Sequence, residues 1–145
     1  NIKDIILGGL SQIPQSSRLY EAISGVLTDW ENGMTQEACF AKIHQTYDEH
    51  STHDWCHTIS NAVIVAAALL YGEGDFSRSI CMAVETGFDT DCNGATVGSI
   101  LGMRNGASTI DEQWLKPLND TIHTSIFGVG TVKISDLVEK TMQQL

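Results

Sequence analysis

Basic residues are scarce in this sequence, rigid ones scarcer, and no apolar run is long enough to cross a membrane. Only 8 of its 145 residues are Lys or Arg, against 18 Asp and Glu, and the formal net charge is -10. A chain this acidic repels a phosphate backbone, so no nucleic-acid partner is expected. The longest apolar run, residues 62–70, falls far short of the roughly 20 residues that a transmembrane helix needs, so no membrane partner is expected either. Proline occurs only 2 times, which removes most helix breakers. The 4 cysteines, Cys39, Cys56, Cys81 and Cys92, form no C-x-x-C pair, which argues against a disulfide framework and leaves the cytoplasm as the default compartment. No targeting segment is legible. The first residue is Asn1 rather than Met, as in a processed product or a piece of a longer chain.

Helical periodicity is present almost throughout. A short helix is expected over residues 2–8. Ser16 or Ser17 caps a second helix, on which Leu19, Ile23, Val26, Leu27 and Trp30 share a stripe, and Gly33 ends it. Thr35 caps a third helix that turns Phe40, Ile43 and Tyr47 inward. Residues 48–55 read as a polar loop. Residues 56–71 are apolar nearly all round, the pattern of a buried central helix. Gly72 and Gly74 break it, and Asp75 caps a fifth helix carrying Ile80, Ala83 and Val84. A tight turn over residues 88–93 leads into a sixth helix that runs to about Arg104. A short piece follows Asp111, and Ser135 caps the last helix. No strand stands out. The expected fold class is all-α, an orthogonal helical bundle forming an incomplete, C-terminal portion of a larger helical domain.

The sixth helix carries Gly94, Gly98, Gly102 and Gly106 at every fourth position. Each interior glycine costs roughly 1 kcal/mol against alanine, so a face bare of side chains needs a compensating close approach. Helix packing is the plainer reason at Gly98 and Gly102; Gly94, at the helix start, could equally serve the neighbouring loop.

Asp89 and Asp91 stand two apart where a turn feeds this helix. In an extended turn, alternate side chains point the same way, so both carboxylates can converge on one point. Oxygen ligands of this kind suit hard cations, Mg²⁺ first and Mn²⁺ next. Thr90 and Asn93 add oxygens. The competing reading makes Asp91 a helix cap and Asp89 a turn former.

The segment Gly87-Phe88-Asp89-Thr90-Asp91-Cys92-Asn93-Gly94-Ala95-Thr96-Val97-Gly98 resembles the C-terminal metal motif of the ADP-ribosylglycohydrolase family, of the dinitrogenase reductase-activating glycohydrolase type. The likeness extends upstream to His57-Thr58-Ile59-Ser60-Asn61 and to residues 70–76, and downstream to the Trp114 segment and Ile134-Ser135-Asp136-Leu137. It covers most of the chain from Ser17 onward. The resemblance implies a helical fold with two Mg²⁺ ions at the bottom of a cleft. Those ions hold ribose hydroxyls and a water, and the bond broken joins ribose C1 to its acceptor. Asp89 and Asp91 take two metal-ligand positions; Cys92 stands where the family often has a Thr ligand, and a thiol is a poor Mg²⁺ ligand. The family's other ligands, an N-terminal Thr-Asp-Asp motif and a further acidic residue, have no counterpart here. The chain is therefore expected to be the C-terminal part of a longer hydrolase acting on an ADP-ribosylated protein or a small ADP-ribose derivative, and by itself inactive. Its water-activating acid is expected outside the segment. A non-catalytic binding or structural relative is the alternative, and a metal-free helical interaction module a third reading. The isolated segment could expose apolar surface and pair with itself.

His50, His53, Cys56 and His57 cluster in sequence, which suggests zinc, but a loop followed by a helix-start histidine explains them more simply. His57 and Asn61, four apart on the central helix, need polar partners or line the cleft. The resemblance favours the cleft, so His57, Asn61 and Gly94 are the substrate-binding candidates.

Overall fold

The computed structural model describes residues 1–144 of the chain. Six helices, α1 (Ile2–Leu10), α2 (Arg18–Glu31), α3 (Gln36–Thr46), α4 (Thr58–Tyr71), α5 (Phe76–Glu85) and α6 (Thr90–Asn105), form a first unit, Asn1–Ala107. The second unit, Ser108–Leu145, holds α7 (Glu112–Leu115), a 3₁₀ turn over Lys116–Leu118, the strands β1 (Thr121–His123) and β2 (Thr131–Lys133), and α8 (Ile134–Met142). The all-α reading holds, with one small hairpin in addition.

In the first unit, short polar side chains set the helix starts. The Ser17 hydroxyl accepts from the Tyr20 amide at 3.1 Å, Thr35 from Ala38 at 3.3 Å and the Asp75 carboxylate from Arg78 at 2.7 Å. Each such bond satisfies an amide that the helix itself leaves without an acceptor, and each is worth about 1 kcal/mol. Gly33, with φ +79°, ends α2, and the amide of Met34 turns back to the Asp29 carbonyl, the left-handed close that glycine permits.

α4 is the hub, packed by α1, α2, α3, α5 and α6. Contact on every side explains why Val63, Ile64, Ala66, Ala67, Ala68, Leu69 and Leu70 are all buried. Burial pushes the Tyr71 phenol up to about 12, so it remains a donor, and it bonds the Met34 carbonyl at 2.9 Å. At the far end of α4, Gly72 admits α5: a Cβ there would collide with Ser79 Oγ and the Ala68 carbonyl.

Several expectations need correction. α4 starts at Thr58 rather than residue 56, because His57 is its cap. α6 starts at Thr90, so Asp91, Cys92 and Asn93 belong to its first turn and not to a preceding loop. Gly87 (φ +84°) and Phe88 (φ +59°) reverse the chain within two residues, leaving no need for a longer turn. The hairpin pairs Thr121 with Lys133, Ile122 with Val132 and His123 with Thr131; three-residue strands are too short for alternation to reveal them. Ser135 does not cap α8, which begins one residue earlier. Its hydroxyl and amide bond Asp120 instead.

Candidate metal centre

The turn between α5 and α6 is built to deliver a carboxylate. Gly87 is held in the left-handed region, and a side chain there would strike the Glu49 carboxylate. Phe88, also left-handed, packs its ring against His44, with centroids 5.3 Å apart. Non-glycine residues occupy that region at a cost of order 1 kcal/mol, here offset by burial of the ring against the core. Asp89 follows immediately, at the N-cap position of α6, yet its side chain makes no capping bond.

Its partner comes from α4. The Asn61 amide donates to Asp89 Oδ2 at 2.8 Å, and Asn93 Nδ2 reaches Asn61 Oδ1 at 3.5 Å. Asn93 is only 1% exposed, so it braces Asn61 from within. At its other end, α6 is fixed by Asn105, whose amide donates to the Gly74 carbonyl at 3.0 Å. Burial works to raise the Asp89 carboxyl, but hydrogen bonds from the Cys92 thiol and the Asn61 amide outweigh it and hold the group below its ordinary value. Asp89 is therefore ionised at neutral pH. Against this carboxylate, first through their hydrogen bond and then through its charge, the Cys92 thiol is pushed up.

One ligand atom from each of Asp89, Asp91 and Cys92 lies within 4.8 Å of the others, the one convergent set of three or more His, Cys, Asp or Glu side chains among the described residues. Asp89 is part-buried, and Asp91 and Cys92 are exposed. The donor chemistry fits a divalent cation: two hard carboxylate oxygens lie within 4.8 Å of each other, and such oxygens suit Mg²⁺. The positive end of α6 lies at the same place and steadies the carboxylates when no ion is bound.

The other expected residues fare differently. Asn61 is in the cluster through its bond to Asp89. His57 is the N-cap of α4, where its Nδ1 accepts from the Ile59 amide at 3.2 Å. The His57 ring stacks on His53 at 4.8 Å and lines a separate depression with Arg18, Tyr47 and Asp54. Gly94 turns its bare side to α5, where a Cβ would sit 3.1 Å from Val84 Cγ2. Its missing side chain serves helix packing, as Gly98 does against Ile80. Sequence reasoning set Cys92 aside and gave Asn93 a vague part; only the true start of α6 shows the first beside the carboxylates and the second behind them. Beside the cluster, Asn61, Cys92, Asn93 and Thr96 form the polar edge of an otherwise apolar depression of about 400 Å³.

The chain is thus an all-α protein with an anionic cluster at a helix entrance, backed by an asparagine from a buried central helix. The model of the ADP-ribosylglycohydrolase family matches residues 1–144, and the chain belongs to that family. The match reaches further towards the N-terminus than the segment from Ser17 on which the resemblance rested. No curated protein and no solved structure matches the chain. Membership makes the chain hydrolase-like, of a family that acts on ADP-ribosylated substrates. No helix among the described residues is long and apolar enough to cross a membrane.

Proposed function

We propose that the chain is the C-terminal part of a Mg²⁺-dependent hydrolase that cleaves the bond at ribose C1 of an ADP-ribosylated protein or a small ADP-ribose derivative, in the cytoplasm. Asp89 and Asp91 are its metal ligands in this segment, Mn²⁺ is the second-choice ion, and the complete enzyme holds two ions. The observation that carries the reading is the Asp89 carboxylate. It stands at a helix start without capping it and is oriented instead by Asn61, 28 residues away.

Bound divalent ions supply Lewis acidity and a fixed point of attachment for ribose hydroxyls. The chain's own residues do the rest of what is legible here. Asn61 fixes the rotation of the Asp89 carboxylate, and Asn93 fixes Asn61. Orienting partners of this kind typically change metal affinity by about 10–100-fold when removed. The apolar depression beside the cluster offers a surface against which a substrate can lie. The acid or base that handles the proton at the reacting bond is expected outside this segment.

The test is ADP-ribose release by the full-length protein in Mg²⁺. Asp89→Ala and Asp91→Ala are each expected to bring turnover to background, while Asn61→Ala weakens Mg²⁺ binding by about tenfold or more. Unchanged turnover in both aspartate variants removes the metal assignment. Mg²⁺ binding without any hydrolysis identifies a non-catalytic relative.

A further inference from the structure

We propose that the Cys92 sulfur is a third protein ligand of this metal centre, and that it shifts the centre's preference from Mg²⁺ towards borderline ions such as Zn²⁺ and Co²⁺. The inference rests on the reading of Asp89 and Asp91 as ligands. What carries it is the start of α6 at Thr90, which puts Asp89 and Cys92 three residues apart on one helix face. Cys92 Sγ thereby lies within 4.8 Å of a carboxylate oxygen of each aspartate. Had residues 88–93 formed a loop, no such juxtaposition would be required.

The neighbouring side chains make the sulfur available. Asn93 is turned inward and buried, so it braces the site from behind. Cys92 is exposed on the open side, beside the two carboxylates. Cys39 makes the contrast: it is 2% exposed and serves as a small apolar residue within the core. Among the described residues no Lys, Arg or His stands within salt-bridge distance of Asp89 or Asp91, so the cluster's negative charge is left for a cation to neutralise.

The chemistry balances without a redox partner. A bond forms between sulfur and the ion, the S–H bond breaks, and the proton leaves to solvent. Hard Mg²⁺ gains little from sulfur, whereas Zn²⁺ and Co²⁺ accept mixed sulfur and oxygen ligands. Where a hydroxyl oxygen would favour a hard ion, sulfur at the same fold position favours a borderline one.

The experiment is a Co²⁺ titration of the full-length protein, read by near-ultraviolet absorption, in a background where the exposed Cys56 and Cys81 are replaced by serine. A sulfur-to-cobalt charge-transfer band is expected with Cys92 present. Cys92→Thr and Cys92→Ser are expected to bind Co²⁺ without the band. Since loss of an orienting partner alone costs 10–100-fold, their preference for Zn²⁺ over Mg²⁺ in calorimetry should fall by about tenfold or more. Using two variants, each checked by circular dichroism, separates ligand loss from misfolding. Co²⁺ binding with identical spectra in all three proteins overturns the role of Cys92 and leaves the aspartates standing. No binding of Co²⁺, Zn²⁺ or Mg²⁺ to the parent protein overturns both.

Discussion

The first unit holds every buried side chain among the described residues; the second, over residues 108–144, holds none. In the first, α4 is enclosed by five other helices, and the carboxylate cluster sits where α4 meets the start of α6. In the second, Ile126, Phe127, Val138 and Met142 are exposed, and Phe127 wholly so. Its order comes from a hairpin of two three-residue strands and from Asp120, which holds Ser135 by both hydroxyl and amide. Apolar burial at roughly 25 cal/mol per Å² is the larger and less directional term. A site requiring a carboxylate oriented to a few tenths of an ångström is therefore found on the unit with a packed hub, which resists displacement.

The largest effect that would sharpen this contrast is a cavity in the hub. Ile64 and Leu70 are 0% and 2% exposed, so Ile64→Ala or Leu70→Ala should each lower unfolding stability by about 2–5 kcal/mol. Val132, half-buried in the hairpin, should cost less than about 1 kcal/mol when cut to alanine. Urea unfolding followed by circular dichroism measures both. Equal costs would mean that the two units do not differ in the way their burial suggests.

A smaller effect separates the units by pH. Hydrogen bonds from the Ser135 hydroxyl, then from its amide, hold the Asp120 carboxyl below its ordinary value of 3.8. A carboxyl lower in the folded than in the unfolded state stabilises fully above the unfolded value, and that gain is lost as pH falls through the folded one. Protection of the Ser135 amide from hydrogen exchange should stay level from neutrality down to about pH 5, then fall as Asp120 protonates. The Leu70 amide in α4 should show no matching step, and Asp120→Asn should abolish the step at Ser135. A step that survives Asp120→Asn would mean that another group holds the start of α8.

The same division governs what the sequence made legible. The apolar run of α4 and the caps Thr35 and Asp75 could be read directly, and the cap of α2 to one of two serines, because each has its physical cause within a few residues. The hairpin could not, since three-residue strands carry no period and their partners lie eight or more residues away. At the candidate site, the spacing of Asp89 and Asp91 was visible, but the reason offered, an extended turn, was not the one found. Two left-handed residues, Gly87 and Phe88, bring the helix start forward. That shift of four residues is what joins Cys92 to the aspartates. His57 and Gly94 stood out in the sequence because polar or bare positions on helices call for an explanation. Their explanations, a cap and a helix contact, involve neighbours that only the folded chain supplies.

The smallest expected effect tests that helix contact. A Cβ on Gly98 would lie 3.3 Å from Ile80 Cδ1 and 3.9 Å from the Phe76 ring. Alanine would favour the helix by about 1 kcal/mol, but Ile80 must yield by a few tenths of an ångström. Its Cδ1 is the far end of a flexible side chain, so the loss is partial and the two terms nearly cancel. Gly98→Ala is therefore expected to change stability by less than about 0.5 kcal/mol, read from the urea midpoint. Gly98→Leu adds volume that no rotation of Ile80 can absorb and should cost about 1–3 kcal/mol. If Gly98→Ala instead delivers the full helical gain, the close approach of α5 and α6 is not what the glycine is for. The bare face of α6 would then need a different neighbour.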